Sequence, residues 1–214
     1  MRLQLSCDFI DIDQAVGLAA DLAPYIDIIE MGTPFILRNG IDVARIFKER
    51  FPQKTILADM KIMDGGYDEA RMAFKVGVDI VTVLAVSSPN TIRNTIACAR
   101  DFGKEVMADM IEVKDIGRAA ALLHGMGADY ICIHTAVDNQ KYDNPLADLR
   151  VVKQNLPDAR IAVAGGIKLE NVDAVISERP DIIIVGRGLI KAQNPREIAK
   201  ALKEKMERNI KDGR

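Results

Sequence analysis

Tryptophan is absent from this sequence, aromatic residues make up only 5% of it, and it holds three cysteines and two histidines. Cys7, Cys98 and Cys132 stand alone, with no CxxC pair and no metal-ligand spacing, which excludes a zinc ribbon or a disulfide framework. They read as reduced thiols of a cytoplasmic protein, in the core or near a site. Cys7, beside Asp8, is a minor candidate for a reactive thiol. Long apolar runs are missing as well. Runs such as Ile182–Val185 are strand-sized, so no membrane span is expected. Met1-Arg2-Leu3-Gln4-Leu5 runs straight into a strand pattern without a signal-peptide core. Charge of one sign is lacking too: 29 basic residues are scattered among 31 acidic ones, a net of −2, which gives no footprint for a nucleic acid.

What is present is alternation. Short runs rich in Ile and Val (Leu3–Cys7, Ile26–Glu30, Thr55–Asp59, Ile80–Leu84, Glu105–Asp109, Tyr130–His134, Ile161–Ala164, Ile182–Val185) are separated by segments of helical period. Those segments are Asp13–Ala23, Val43–Arg50, Tyr67–Val76, Pro89–Asp101, Lys114–Gly125, Ala147–Asn155, Leu169–Ser177 and Pro195–Arg208. Eight such units with no break in composition predict one (β/α)8 barrel over residues 1–214, with a charged, solvated helix end at about 203–214. An open doubly wound sheet is the structural alternative. Its GxGxxG fingerprint is missing after the first strand, where Cys7-Asp8-Phe9-Ile10 stands. Leu57-Ala58-Asp59-Met60 recurs as Met107-Ala108-Asp109-Met110, a repetition read as common strand-end geometry.

In a barrel the strand ends form one ring around the mouth. That ring collects Asp8, Glu30, Asp59, Lys61, Asp109 and His134. Alternation of side chains puts Asp59 and Lys61 on one face, and Gly65-Gly66 ends the strand. So much negative charge in one place requires a cation. Oxygen donors without a Cys or multi-His set favour Mg²⁺, with Glu30 and Asp59 as ligands. His134 is the candidate proton carrier. Strands seven and eight end in Gly165-Gly166 and Gly186-Arg187-Gly188. Such turns let backbone N–H groups close on a phosphate, with a short helix beginning at Gly188 or Leu189 and Arg187 adding charge.

Asp59-Met60-Lys61-Ile62-Met63-Asp64 has the DxKxxD pattern of the orotidine-monophosphate decarboxylase suprafamily. The stretches Ile26–Pro34, Leu57–Gly66, Val81–Leu84, Asp109–Ile111, His134–Gln140 and Val163–Gly166 resemble its branch of 3-hexulose-6-phosphate synthases and 3-keto-L-gulonate-6-phosphate decarboxylases. The resemblance spans nearly the whole chain. It implies a homodimeric, Mg²⁺-dependent aldehyde-lyase that joins formaldehyde to D-ribulose 5-phosphate through an enediolate, giving D-arabino-hex-3-ulose 6-phosphate. In that reading Lys61 and the metal stabilise the enediolate, His134 moves the proton, Asp8 and Asp64 hold substrate hydroxyls, and Asp109 orients water or His134. The resemblance further implies that Asp64 reaches the partner subunit's site. Asp109, Val137 and Ala164 stand where the decarboxylases usually have Glu, Arg and Thr, which leans toward the synthase. Cys7 is less typical of the synthases, and Arg187 resembles the decarboxylases, which remain the alternative beside other phosphosugar enzymes. A phosphosugar-binding barrel without catalysis is the alternative outside enzymes.

Overall fold

A computed structural model describes residues 1–8, 11–139 and 145–212, with side chains through 209. The strands are β1 (Arg2–Cys7), β2 (Ile28–Met31), β3 (Thr55–Ile62), β4 (Ile80–Leu84), β5 (Glu105–Asp109), β6 (Tyr130–His134), β7 (Ile161–Ala164) and β8 (Ile182–Val185). Between and after them run α1 (Ile12–Leu22), α2 (Thr33–Asn39), α3 (Ala44–Arg50), α4 (Gly66–Lys75), α5 (Pro89–Phe102), α6 (Ile116–Met126), α7 (Leu146–Asn155), α8 (Val172–Ser177), α9 (Arg187–Ile190) and α10 (Pro195–Asp212). The strands are parallel and close into a barrel in chain order, β8 pairing back onto β1. This is the expected (β/α)8 architecture. No helix of the described residues is long and apolar enough to cross a membrane.

Strand alternation decides what lies inside. Outward residues such as Ile29, Ile56, Val81, Val106, Ile131, Val163 and Ile183 join the helices in the main core. Inward residues form a second apolar cluster that includes Ile28, Leu57, Ile80, Met107 and Cys132. Two residues further along each of these strands the inward position is polar: Glu30, Asp59, Thr82, Asp109 and His134. The barrel is thus filled with hydrocarbon below and presents polar groups at its C-terminal mouth.

The opposite end is closed by a fourfold device not anticipated from the sequence. The carboxylates of Asp27, Asp79, Asp129 and Asp181 each precede an even-numbered strand. They accept the N–H of Leu3, Ile56, Val106 and Ile161, one on each odd-numbered strand, at 2.8–2.9 Å. Each of these N–H groups lies at the first or second position of its strand, and leaving one unpaired away from water would cost about 1–3 kcal/mol. Lysines close over two of these groups, Lys203 of α10 on Asp27, and Lys48 of α3 with Lys104, just before β5, on Asp79.

Several boundaries differ from expectation for identifiable reasons. β2 begins at Ile28, because the Ile26 N–H is spent on Leu22 at the end of α1. β3 does not stop at Asp59 but runs to Ile62. α2 was not foreseen, since a seven-residue helix with one buried side chain, Phe35, carries no apolar stripe. α8 starts at Val172 because Asn171 caps the Lys168 N–H and bonds the Gly166 carbonyl, holding that segment as a turn. The short helix after β8 starts at Arg187, ahead of the expected Gly188 or Leu189. The charged tail is not simply solvated: α10 continues to Asp212, Lys203 is bound to Asp27, and Met206 is buried.

Candidate active site

The mouth is a cavity of about 880 Å³ lined by the strand ends and the loops that follow them. It brings together Asp8, Glu30, Asp59, Lys61, Asp109, His134, Gly165, Gly166, Gly186 and Arg187. Asp64 does not join them. It is exposed beyond the end of β3, where its carboxylate accepts the Gly65 N–H at 2.8 Å. Of the resembling stretch that ends at Gln140, that residue lies outside the described residues.

Lys61 reaches its place by a route that simple alternation does not describe. β3 and β4 pair Ala58 with Val81 and next Ile62 with Val83, four steps on one strand against two on the other. Inside this bulge Lys61 takes φ = +47°, a left-handed conformation that costs a non-glycine residue on the order of 1 kcal/mol. Its ammonium lies 2.9 Å from Asp59 Oδ2 and 2.8 Å from Asp109 Oδ2. Burial by itself would lower the Lys61 pKa, but the Asp59 and Asp109 carboxylates more than reverse this and hold it well above the ordinary lysine value. Lys61 is therefore a fixed positive charge and not a base.

Asp109 is nearly inaccessible and binds His134 Nδ1 at 3.0 Å as well as Lys61. Burial pushes its pKa up, yet the hydrogen bond and charge of His134, with the Lys61 ammonium, bring it down to about 2. Near neutral pH Asp109 therefore only accepts hydrogen bonds, which assigns the His134 ring proton to Nδ1 and leaves Nε2 as the basic nitrogen. Asp59, Lys61, Asp109 and His134 thus form one continuous chain of contacts across β3, β5 and β6.

Glu30 is the opposite case. Burial first, and then the negative charge of Asp59, push its pKa up to about 8, although the Gln4 amide donates to it at 2.5 Å. The Gln4 carbonyl oxygen is itself buried without a partner. Asp8, over which Gly32 and Gly186 leave room, is likewise raised by burial and by Asp59. The floor on this side therefore holds more acceptors than donors, which suits a hard cation and its bound water. Among the described residues no three Asp, Glu, His or Cys make a closed metal cage. Two carboxylates completed by water and substrate oxygens is the usual Mg²⁺ arrangement, so Glu30 and Asp59 fit that ion.

The wall after β7 and β8 is basic. Gly165 (φ +104°) and Gly166 (φ +66°) turn there, and a Cβ on Gly165 would sit 2.6 Å from the Thr135 carbonyl oxygen. Arg187, Lys168 and Lys191 line the same side. The two lysines were not foreseen, since neither lies at a strand end. Gln4, Thr33 and Thr82 were also missed. Gln4 and Thr82 had left a signal: each is a polar residue at an inward position between two apolar outward ones, in Leu3-Gln4-Leu5 and Val81-Thr82-Val83. The reactive-thiol candidate Cys7 is wholly buried, and burial raises its pKa far above the thiol range, so it packs rather than reacts.

Fold and mouth together define a (β/α)8 barrel with an acidic, lysine-bridged floor and a glycine-rich basic wall. The family model for "Orotidine 5'-phosphate decarboxylase / HUMPS family" matches residues 1–202. A 3-hexulose-6-phosphate synthase of Bacillus subtilis (strain 168) is 40% identical over 95% of this chain and 98% of its own. One from Staphylococcus haemolyticus is 38% identical over 97% and 99%. The crystal structure of 3-hexulose-6-phosphate synthase from Salmonella typhimurium superposes with a TM-score of 0.95 at 38% identity, covering 98% of this chain and 100% of that one. The chain belongs to the orotidine 5'-phosphate decarboxylase / HUMPS family.

Proposed function

We propose that this chain is a Mg²⁺-dependent 3-hexulose-6-phosphate synthase, an aldehyde-lyase that condenses formaldehyde with D-ribulose 5-phosphate to D-arabino-hex-3-ulose 6-phosphate. The observation that carries the reading is the Asp59–Lys61–Asp109–His134 chain, which sets a base and a fixed positive charge side by side. His134 Nε2 takes a proton from C1 of the pentulose, and the electron pair moves into the C1–C2 bond as charge develops on the C2 oxygen. Lys61 stabilises that oxygen without being consumed, the preorganised electrostatic help that usually contributes most. C1 then bonds to the formaldehyde carbon, and the formaldehyde oxygen takes the proton back from His134. Glu30 and Asp59 would hold Mg²⁺, which when bound supplies further positive charge for the enediolate oxygens. Asp8 holds a substrate hydroxyl. Formaldehyde offers little to bind, so affinity comes from the phosphate on the basic wall, at Gly165, Gly166, Gly186 and Arg187.

The deciding assay sets ribulose 5-phosphate, formaldehyde and Mg²⁺ beside 3-keto-L-gulonate 6-phosphate. Turnover of the gulonate alone would select the decarboxylase, a reading favoured by the position of Arg187 in the mouth. Against it, the rim position 137 is an exposed Val, with no cation there to meet a carboxylate. Turnover of neither, with tight binding of the sugar phosphate, would select the binding barrel.

Two further results are expected. Chelation abolishes turnover, and Mg²⁺ binding to the apoprotein releases close to ~1 proton per site at neutral pH, because Glu30 titrates near 8 and must ionise to bind metal. The sign for stability follows: a carboxyl raised in the fold destabilises the apoprotein as pH rises from the ordinary glutamate range through about 8. Glu30→Gln removes both the proton release, read by calorimetry in two buffers, and that pH slope of Tm. Unchanged proton release in Glu30→Gln would remove Glu30 from the ligand set.

At the phosphate wall, Gly166→Asn keeps a residue type that tolerates a left-handed backbone but lays a side chain over the turn. KM for ribulose 5-phosphate is expected to rise roughly tenfold or more, equivalent to ~1.4 kcal/mol of binding, with little change in Tm. An unaltered KM would place the phosphate elsewhere.

A further inference from the structure

Thr82 faces the bulge in β3, and its hydroxyl occupies a position with no freedom of direction. A carboxylate only accepts, so the single hydroxyl proton goes to Asp59 Oδ1 at 2.8 Å. The lone pairs left on Oγ1 receive the Lys61 backbone N–H, also at 2.8 Å. Lys61 Nζ returns to the same Asp59 oxygen at 3.1 Å. Backbone, hydroxyl, carboxylate and ammonium thus close a ring around one residue in a left-handed conformation.

The bulge makes this hydroxyl necessary. Between Ala58 and Ile62 the regular ladder with β4 is interrupted, and there the Lys61 N–H is taken by the Thr82 hydroxyl. Thr82 is buried and Lys61 partly so, and a backbone N–H turned away from water needs some acceptor. Thr33 does not duplicate the role: its hydroxyl reaches Asp59 Oδ2 and the Asp59 carbonyl but not Lys61. Valine would fill the space of Thr82 and satisfy neither neighbour. Serine would satisfy both.

We infer that Thr82 is a positioning residue: its hydroxyl holds the Lys61 backbone in the left-handed turn and thereby sets where the ammonium stands relative to Asp59 and Asp109. The consequence for turnover rests on the synthase reading above; the consequence for the backbone does not.

The experiment compares wild type, Thr82→Val and Thr82→Ser. Hydrogen exchange of the Lys61 amide is followed by NMR on ¹⁵N-labelled protein, and turnover of ribulose 5-phosphate with formaldehyde and Mg²⁺ is measured in parallel. Thr82→Val is expected to speed exchange at Lys61 at least ~10-fold, with amides of β7 and β8 unchanged, while Thr82→Ser stays within ~3-fold of wild type. In turnover, Thr82→Val is expected to lose roughly 30- to 100-fold in kcat with KM within ~3-fold, and Thr82→Ser to restore most of it. Should the valine variant not fold, Thr82→Ala, which adds no bulk, serves in its place. Wild-type exchange at Lys61 in the valine variant overturns the assignment, whatever the turnover. Serine as damaged as valine overturns it too, because shape rather than the hydroxyl would then matter. If wild type itself fails to turn over the sugar, the synthase reading falls, and the exchange rates still decide the role of Thr82.

Discussion

Replacing His134 by Asn is expected to slow solvent exchange of the C1 proton of ribulose 5-phosphate by about a thousandfold, within the 10²–10⁴ range of a positioned general base. The measurement needs no formaldehyde, so it isolates the first half-reaction. The size of the effect follows from the geometry. Asp109 holds Nδ1 at 3.0 Å and stays ionised down to about pH 2, so the imidazole has one defined basic nitrogen. The Asn side chain keeps a donor for Asp109 but offers no nitrogen base. Asp109→Asn should reach much of the same loss by another route: an amide can donate to Nδ1, which would put the ring proton on Nε2 and remove the base. Proton exchange at the wild-type rate in His134→Asn would transfer the role to another group, with Asp59 first in line.

Mixing two nearly inactive variants, Lys61→Ala and Asp64→Asn, is expected to restore activity. Asp64 stands exposed outside its own mouth, next to Met63. Leu37 and Met72, on helices α2 and α4, and Val86, after β4, are exposed apolar residues as well. We propose a homodimer in which these residues pack at the subunit contact and each Asp64 completes the partner's site. In a heterodimer of the two variants, one site then collects both lesions and the other has Lys61 and Asp64 intact. Random co-assembly makes half the dimers mixed, so about a quarter of all sites should recover, and about half in purified heterodimers. If both residues served the same subunit, every site would keep one lesion, and verified heterodimers would remain inactive.

Much of this protein could be read from one residue to the next. The alternation of β-branched runs with helical segments prescribed eight βα units. The two-residue period of a strand turned Ile28-x-Glu30, Leu57-x-Asp59, Met107-x-Asp109 and Cys132-x-His134 into apolar floor and polar rim. A parallel barrel needs one connection type only, so the end of every strand had to arrive at the same mouth, and with it the whole set of acids, the lysine and the histidine. Barrel closure decided the rest. That Asp109 orients His134 itself and not only water, that Lys61 bridges Asp59 and Asp109 from a bulge, and that Thr82 fills that bulge all depend on register between strands more than twenty positions apart. The same holds for the four Asp clamps at the other end and for Lys168 and Lys191 on the basic wall. Alternation is a local property of a strand and is written in neighbouring residues. A hydrogen bond between strands is set by shear and strand bending, which the chain acquires only when the last strand pairs with the first.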